Sequence, residues 1–149
     1  MTDPPVVRVE RHVHAPPSAV FAYLTASDGW ARWQGDEASI HPTPGGIFRI
    51  LMGTGETARG QFVEVVPDHK VVFTLGWLDR PGIPPGSTVV EIELLPEADG
   101  TLIRLTHRQL PPDESAMHRA GWQHYLERLA TVASGRDPGP DHGVTNERP

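Results

Sequence analysis

The chain has 149 residues, of which 38% are hydrophobic and 21% charged, so it is long enough for one domain with a real core and is not a disordered chain. No apolar stretch approaches the roughly 18 residues that cross a bilayer, and the start lacks a secretory signal, so a cytoplasmic protein is expected. The formal charge of −6 disfavours nucleic acid and anionic lipid as partners, and the absence of cysteine excludes disulfides, thiol nucleophiles and cysteine zinc sites.

The first part of the chain predicts one strand followed by two short helices. Valine alternates with polar residues over residues 6–14, which indicates a strand with one buried face. Prolines end this strand, and Pro17 is suited to the first turn of a helix. A second short helical segment is predicted over residues 28–33, where Trp30 and Trp33 are three positions apart.

From about residue 36, turn residues separate segments that have the alternating pattern of strands. Strands are predicted at residues 47–52, 57–66, 71–77, 88–95 and 101–109. Residues 80–87 contain three prolines and two glycines, which predicts an irregular loop.

Charged residues occupy one face of the last predicted hairpin. Glu91 and Glu93 lie opposite the apolar face of their strand, and Arg104 and Arg108 do so on the partner strand. Pairs of this kind are worth about 0.2–1 kcal/mol each. We therefore interpret the two glutamates as part of a solvated face and not as an acid/base couple.

The last predicted element is a long helix over residues 113–133. Its apolar stripe comprises Met117, Trp122, Tyr125, Leu126, Leu129 and Val132. Gly135 is suited to ending the helix, and residues 136–149 are rich in proline, glycine and charge, which is typical of a tail with little order. We expect a single domain over residues 1–135, followed by that tail.

The order of elements is a strand, a helix pair, further strands and a long helix, which indicates an α+β fold. One amphipathic helix has to bury its stripe against an antiparallel sheet of six or seven strands. A sheet of that size twists and curls around the helix. A cavity is expected where the sheet and the helix diverge.

Four segments, taken together and in order, resemble a known family. They are residues 13–33 (with Val13-His14-Ala15-Pro16, Val20-Phe21, Leu24-Thr25 and Trp33), Pro44 to Arg49, residues 60–74, and residues 100–107 with Gly121-Trp122. The chain resembles the SRPBCC (START-like, Bet v-like) superfamily and, within it, the Aha-like branch of heat-shock-ATPase-activator homologues. The resemblance implies the helix-grip fold, with two short helices between the first and second strands and an internal cavity. It assigns no reaction.

Large residues predicted to face inward are the candidate ligand-binding residues. They are Trp33, Phe48, Met52, Phe73, Trp77, His107 and Trp122. The competing interpretation is that they form ordinary core, where each stabilises the fold by roughly 1.5–3 kcal/mol. Gly121 lies inside the long helix, where glycine costs about 1 kcal/mol relative to alanine, so we expect the sheet or a ligand to approach it closely.

Metal and catalytic sites find little support in the sequence. His12 and His14 share a strand face, and Glu114 and His118 are four apart on a helix, which are acceptable ligand spacings. There is no HExxH or GxSxG motif. We therefore predict no metal, no cofactor and no catalytic residue.

Three functions remain open. The first is a binding module for a small hydrophobic or aromatic molecule. The second is an enzyme resembling the cyclases and aromatases of the superfamily, for which Arg49 and His107 are the nearest polar candidates. The third is a protein-interaction role with a chaperone ATPase, which the branch name suggests, and a homodimer is compatible with an exposed sheet face or edge strand.

Overall fold

Strands and helices follow one another in the predicted order in the computed structural model, which describes residues 6–141. The elements are β1 (Val6–Val13), α1 (Pro17–Leu24), α2 (Ser27–Ala31), β2 (Glu37–Ile40), β3 (Ile47–Leu51), β4 (Thr57–Val66), β5 (Lys70–Trp77), β6 (Thr88–Glu97), β7 (Gly100–Arg108) and α3 (Ser115–Ala133). A short 3₁₀ turn at Pro112–Glu114 precedes α3, so the long helix begins two residues later than predicted. None of the helices within these residues is long and apolar enough to cross a bilayer.

All seven strands form one antiparallel sheet in the order β1-β7-β6-β5-β4-β3-β2. The sheet curves around α3, which confirms the predicted helix-grip architecture of the α+β class. The four-residue strand β2 completes the sheet at one edge, and β1 forms the other edge.

The predicted charged face of the β6–β7 hairpin is confirmed for one pair. Arg108 Nη1 donates a hydrogen bond to Glu91 Oε1 at 3.1 Å. Arg104 instead donates from Nε to Glu10 Oε2 at 2.7 Å, because β1 runs beside β7 and brings Glu10 opposite Arg104. Arg108 is exposed, whereas the Glu91 side chain is only 18% exposed, so Glu91 is less solvated than predicted.

The core lies between the inner face of the sheet and the helices. Alternate residues of β5, β6 and β7 are buried, as the period of a strand requires. An aromatic cluster fills the part beneath α2, where the rings of Phe48 and Phe73 stack at 4.1 Å and Trp30 contacts both edge-on.

The proline-rich loop between β5 and β6 folds back onto the sheet. The backbone N–H of Trp77 donates to the carbonyl oxygen of Ile83 at 2.8 Å, and the Ile83 side chain is buried. Gly76 permits this approach, since a Cβ there would lie 1.8 Å from the carbonyl oxygen of Pro84. The loop is irregular, as predicted, but it is fixed to the end of β5.

The first residues after α3 return along that helix. The Arg128 guanidinium donates to the carbonyl oxygens of Pro138 and Gly139 at 3.4 and 3.1 Å, and His124 is 2.8 Å from a carboxylate oxygen of Asp141. Residues 142–149, the rest of the predicted tail, lie outside the described residues.

Candidate ligand cavity

A cavity of about 620 Å³, partly open to solvent, lies between α3 and the ends of β4 and β5. Its walls are largely apolar and include Met52, Ala58, Leu75, Ala120 and Trp122. Polar side chains, among them Gln34 and Arg80, also line the cavity.

Gly121 contributes to the empty space. A Cβ built at this position meets no atom within 4 Å, and the residue lines the cavity. The expectation that the sheet approaches Gly121 closely is therefore wrong. Alanines at 116 and 120 extend the same small-residue surface of α3, so the helix leaves a gap here because it lacks bulk.

The seven predicted ligand-binding residues occupy two different environments. Met52, Trp77 and Trp122 line the cavity. Trp33, Phe48 and Phe73 are fully buried in the aromatic cluster beneath α2 and are not among the lining residues, and His107 is buried behind Trp122. The Trp33 indole donates to the carbonyl oxygen of Tyr23 at 3.1 Å, which satisfies it within the core.

His107 is held by hydrogen bonds on both ring nitrogens. Trp122 Nε1–H donates to His107 Nδ1 at 3.0 Å, so Nδ1 is the acceptor and the proton is on Nε2. Nε2 lies 2.8 Å from Thr88 Oγ1, and the Thr88 hydroxyl in turn donates to the carbonyl oxygen of Leu75 at 2.6 Å. Burial, with a contribution from nearby His118, lowers the pKa of His107 to about 3, so the ring is neutral.

His118 repeats the arrangement on the helix side of the cavity. Its Nδ1 lies 2.9 Å from the carbonyl oxygen of Glu114, which can only accept, so Nδ1 carries the proton. Its Nε2 accepts a hydrogen bond from Trp77 Nε1 at 3.3 Å. Burial is the main cause that lowers the pKa of His118, and the rings of His107 and His118 lie 5.4 Å apart, edge to face. Two indole–imidazole pairs thus lie side by side, called here the Trp–His wall (Trp77, His118, His107 and Trp122), in which Trp77, His118 and Trp122 line the cavity and His107 lies behind Trp122.

An ion-pair network, called here the cavity rim (Glu56, Arg80 and Glu114), adjoins the cavity: Glu56 and Arg80 line it, and Glu114 contacts Arg80 without lining the cavity itself. Arg80 binds Glu56 through two hydrogen bonds of 2.8 and 3.0 Å, and its Nη1 lies 3.5 Å from Glu114. The guanidinium also stacks over the Trp77 ring at 5.0 Å. The hydrogen bond from Arg80 lowers the pKa of Glu56, so this carboxylate is ionised.

Gln34, Thr54 and Tyr125 supply further polar groups of the lining. Gln34 Oε1 accepts a hydrogen bond from Trp30 Nε1 at 2.9 Å, so the NH₂ group of Gln34 is available to donate a hydrogen bond to a ligand. Burial raises the pKa of Tyr125, which keeps its hydroxyl neutral. The cavity can therefore donate and accept hydrogen bonds while most of its surface is apolar.

Sequence reasoning did not identify the cavity rim or the role of His118. Glu56 follows a turn and Arg80 begins a proline-rich loop, so no periodic pattern connects them with residue 114. The spacing of His118 to Glu114 does not reveal its role, whereas its position one turn before Trp122 on the helical stripe indicates that its ring faces inward.

Comparison with known proteins gives a consistent assignment. Residues 14–134 match the family model described as activator of Hsp90 ATPase homolog 1-like protein. The solution NMR structure of an AHSA1-like protein from Rhizobium etli is 48% identical, with a TM-score of 0.75, over 99% of this chain and 92% of that chain. A comparison with the curated proteins finds no match.

Two further solved structures share the fold. The crystal structure of DynU16, from the dynemicin biosynthetic locus, is 27% identical with a TM-score of 0.78, over 92% of this chain and 50% of that chain. The Aha1 dimer from Colwellia psychrerythraea is 17% identical with a TM-score of 0.76, over 87% of this chain and 96% of that chain, which is a likeness of fold alone. The chain belongs to the AHSA1-like family, with its helix-grip fold.

Proposed function

We propose that the protein binds a small apolar or aromatic molecule in the cavity between α3 and the sheet. The observation that carries the proposal is the volume of about 620 Å³ left open beside Gly121. Small-molecule sites commonly measure about 300–1,000 Å³ and combine an apolar lining with a few polar groups. Met52, Trp77 and Trp122 are the proposed contacts among the residues singled out in the sequence, and His107 would act by positioning Trp122.

Binding is favoured over catalysis by the state of the two buried histidines. A general base needs a free lone pair within reach of the proton that it removes. His107 and His118 each use that lone pair to accept an indole N–H. Arg49, the other sequence candidate, lies on the face of β3 opposite the buried Phe48. A cyclase-like or aromatase-like reaction is therefore the second choice.

The charges of the cavity rim indicate what kind of polar group the ligand carries. Glu56 lines the cavity and Glu114 adds a second carboxylate to the same network, against the one guanidinium of Arg80, which already directs its donors at these two side chains. A ligand carboxylate would face a net negative charge at the cavity rim, where Arg80, the cation among these three residues, is already paired. A ligand with a neutral or positively charged donor group fits this rim better.

Protein partners are a separate proposal. The family is named for an ATPase activator, and the Colwellia protein is described as a dimer. A homodimer and a chaperone partner stay as predictions, tested by light scattering after size-exclusion chromatography and by affinity capture of an Hsp90-type ATPase.

The binding proposal is tested by native mass spectrometry and by titration with a fluorescent naphthyl probe. Protein purified from its own cells should carry a small apolar molecule, or should bind 1-naphthylmethylamine with a saturable binding curve. Gly121→Phe should abolish binding because the new ring fills the cavity, whereas Gly121→Ala should retain it. If the probe still binds to Gly121→Phe, or if the folded wild type binds no apolar probe, the cavity is not a ligand-binding site.

The charge preference is tested with a matched set of probes. The amine 1-naphthylmethylamine should bind at least about tenfold more tightly than 1-naphthoate, with 1-naphthylmethanol between them, a difference of about 1.4 kcal/mol. Glu114→Gln should narrow that difference, because it removes one rim carboxylate and leaves the pairing of Arg80 with Glu56. Preference for the carboxylate would contradict the charge argument and leave the cavity proposal standing.

A further inference from the structure

We propose that His12, His14 and Asp99 form a surface binding site for a divalent transition-metal ion of the Zn²⁺, Cu²⁺ or Ni²⁺ class. One ligand atom from each residue lies within 4.8 Å of those of the other two. His12 Nε2 is 3.0 Å from Asp99 Oδ1, and His14 Nδ1 is 3.8 Å from Asp99 Oδ2. This site is separate from the ligand cavity and uses none of its residues.

The distances require little movement to close around an ion. Ligand atoms about 2.0–2.2 Å from a tetrahedral zinc ion are roughly 3.4 Å from one another. The distances from the Asp99 carboxylate to His12 Nε2 and to His14 Nδ1, 3.0 and 3.8 Å, are close to this value. The rings of His12 and His14 already lie edge to face with centroids 4.7 Å apart, so rotation about side-chain bonds is enough to complete the site.

The backbone beneath the site is fixed by the sheet. His12 is on β1, which pairs along its whole length with β7, and Val13 lies opposite Thr101. Gly100 packs so closely that a Cβ there would lie 1.9 Å from the carbonyl oxygen of Val13. The buried Thr101 hydroxyl donates to the carbonyl oxygen of Ala15 at 2.7 Å. The end of β1 and the turn that carries Asp99 are therefore held together.

The donor set selects the class of ion. Two imidazole nitrogens and a carboxylate suit zinc, copper and nickel, whereas magnesium and calcium prefer oxygen ligands alone. Glu97 Oε1 lies 3.4 Å from His12 Nε2 and adds a second negative charge. Arg11 and Arg136 line a neighbouring groove together with both histidines, and their positive charge opposes a dication. We therefore expect micromolar affinity.

The competing explanation is that these residues make only surface hydrogen bonds and ion pairs. His12 and Asp99 are close enough for a direct hydrogen bond without any ion. Pairs of this kind on a protein surface are common and contribute little to stability. The two explanations differ in whether both histidines contact a metal at the same time, which can be measured.

The test is isothermal titration of the full chain with ZnCl₂, together with electron paramagnetic resonance of the Cu²⁺-loaded protein. We expect one strong site, a copper spectrum with two nitrogen ligands, and at least about tenfold weaker binding in His12→Ala and in His14→Ala. Asp99→Asn should weaken zinc binding less than either histidine variant. His41→Ala and His69→Ala, which change exposed histidines elsewhere, are the controls and should bind as the wild type does.

Three results would overturn the proposal. The first is no zinc binding at a ZnCl₂ concentration 100 times the expected micromolar dissociation constant. The second is a loss of zinc affinity in the control variants equal to that in the His12 and His14 variants. The third is a copper spectrum that shows a single nitrogen ligand. Because all four histidine variants change surface positions, circular dichroism should show that each remains folded. Loss of the metal site would leave binding of the naphthyl probes unchanged.

Discussion

The Trp122 indole donates its N–H to Nδ1 of His107 at 3.0 Å, and this single hydrogen bond connects the cavity lining to the interior of the sheet. Trp122 faces the cavity, whereas His107 is completely buried on β7. The bond fixes the tautomer of the imidazole and the orientation of the indole together. The orientation of Trp122 in the lining is thus held by a buried residue that does not itself line the cavity.

The first prediction concerns acid stability. His107 has a pKa of about 3 in the folded chain against 6.5 as its ordinary value, because burial favours the neutral ring. Between these pH values the unfolded state binds a proton that the native state does not, so the free energy of unfolding falls as pH falls below 6.5. At pH 5 the burial that keeps His107 neutral lowers the free energy of unfolding by about 2 kcal/mol relative to neutral pH. The lowered pKa of His118 acts in the same direction.

Urea unfolding at pH 7.0, 6.0 and 5.0 measures this dependence. His41→Gln, an exposed position, should keep the wild-type slope, whereas His107→Gln should reduce it by about one proton. If His107→Gln does not fold, ¹⁵N chemical shifts of the wild-type imidazole give the same answer. A His107 ring that titrates near pH 6 would contradict the buried, neutral state.

The second prediction compares the two indole donors of the Trp–His wall. Trp122→Phe removes the donor to the buried His107 and leaves its Nδ1 without a partner, which should lower the free energy of unfolding by about 1–3 kcal/mol. Trp77→Phe removes the equivalent donor to His118 at a partly exposed position, where water can replace it. We therefore expect a smaller loss for Trp77→Phe in urea unfolding, and equal losses would show that the indole hydrogen bonds do not determine the difference.

Regular periodicity made most of the fold predictable from the sequence. The strand pattern of residues 71–77 and the helical stripe around Trp122 each specify which side chains face inward, and their order indicates the sheet and its long helix. The same patterns cannot separate a packed side chain from one that faces a cavity. Phe73 and Trp77 share a predicted face, yet only Trp77 reaches the cavity.

The cavity rim depends on contacts between distant segments that lack a common period. Glu56 and Arg80 are 24 positions apart, on a hairpin end and an irregular loop. Their pairing follows from the β4–β5 register and from the way the loop folds back through Ile83. A single sequence contains no local signal for an ion pair between residues so far apart in the chain. Gly121 shows the same limit, because the sequence predicts a close approach to its backbone whereas the structure has open space beside it.

The third prediction tests the hydroxyl beneath the histidine. Thr88 Oγ1 accepts from His107 Nε2–H and donates to the carbonyl oxygen of Leu75. Thr88→Val keeps the shape but leaves the imidazole N–H unsatisfied, which should destabilise the protein by about 1–3 kcal/mol. Thr88→Ser retains the hydroxyl and should lose less, as measured by urea unfolding at pH 7. Equal losses in the two variants would indicate that the methyl packing matters and the hydrogen bond does not.

The fourth prediction uses two glycines that have opposite surroundings. At Gly121, inside α3, a Cβ would meet nothing within 4 Å, so Gly121→Ala should stabilise the protein by about 1 kcal/mol through helix propensity. At Gly76 a Cβ would lie 1.8 Å from the carbonyl oxygen of Pro84, so Gly76→Ala has to displace the loop and should destabilise the protein by several kcal/mol or prevent folding. Thermal unfolding of both variants against the wild type measures the contrast. A loss of stability in Gly121→Ala would mean that the space beside α3 is filled in solution, which would argue against the open cavity on which the binding proposal rests.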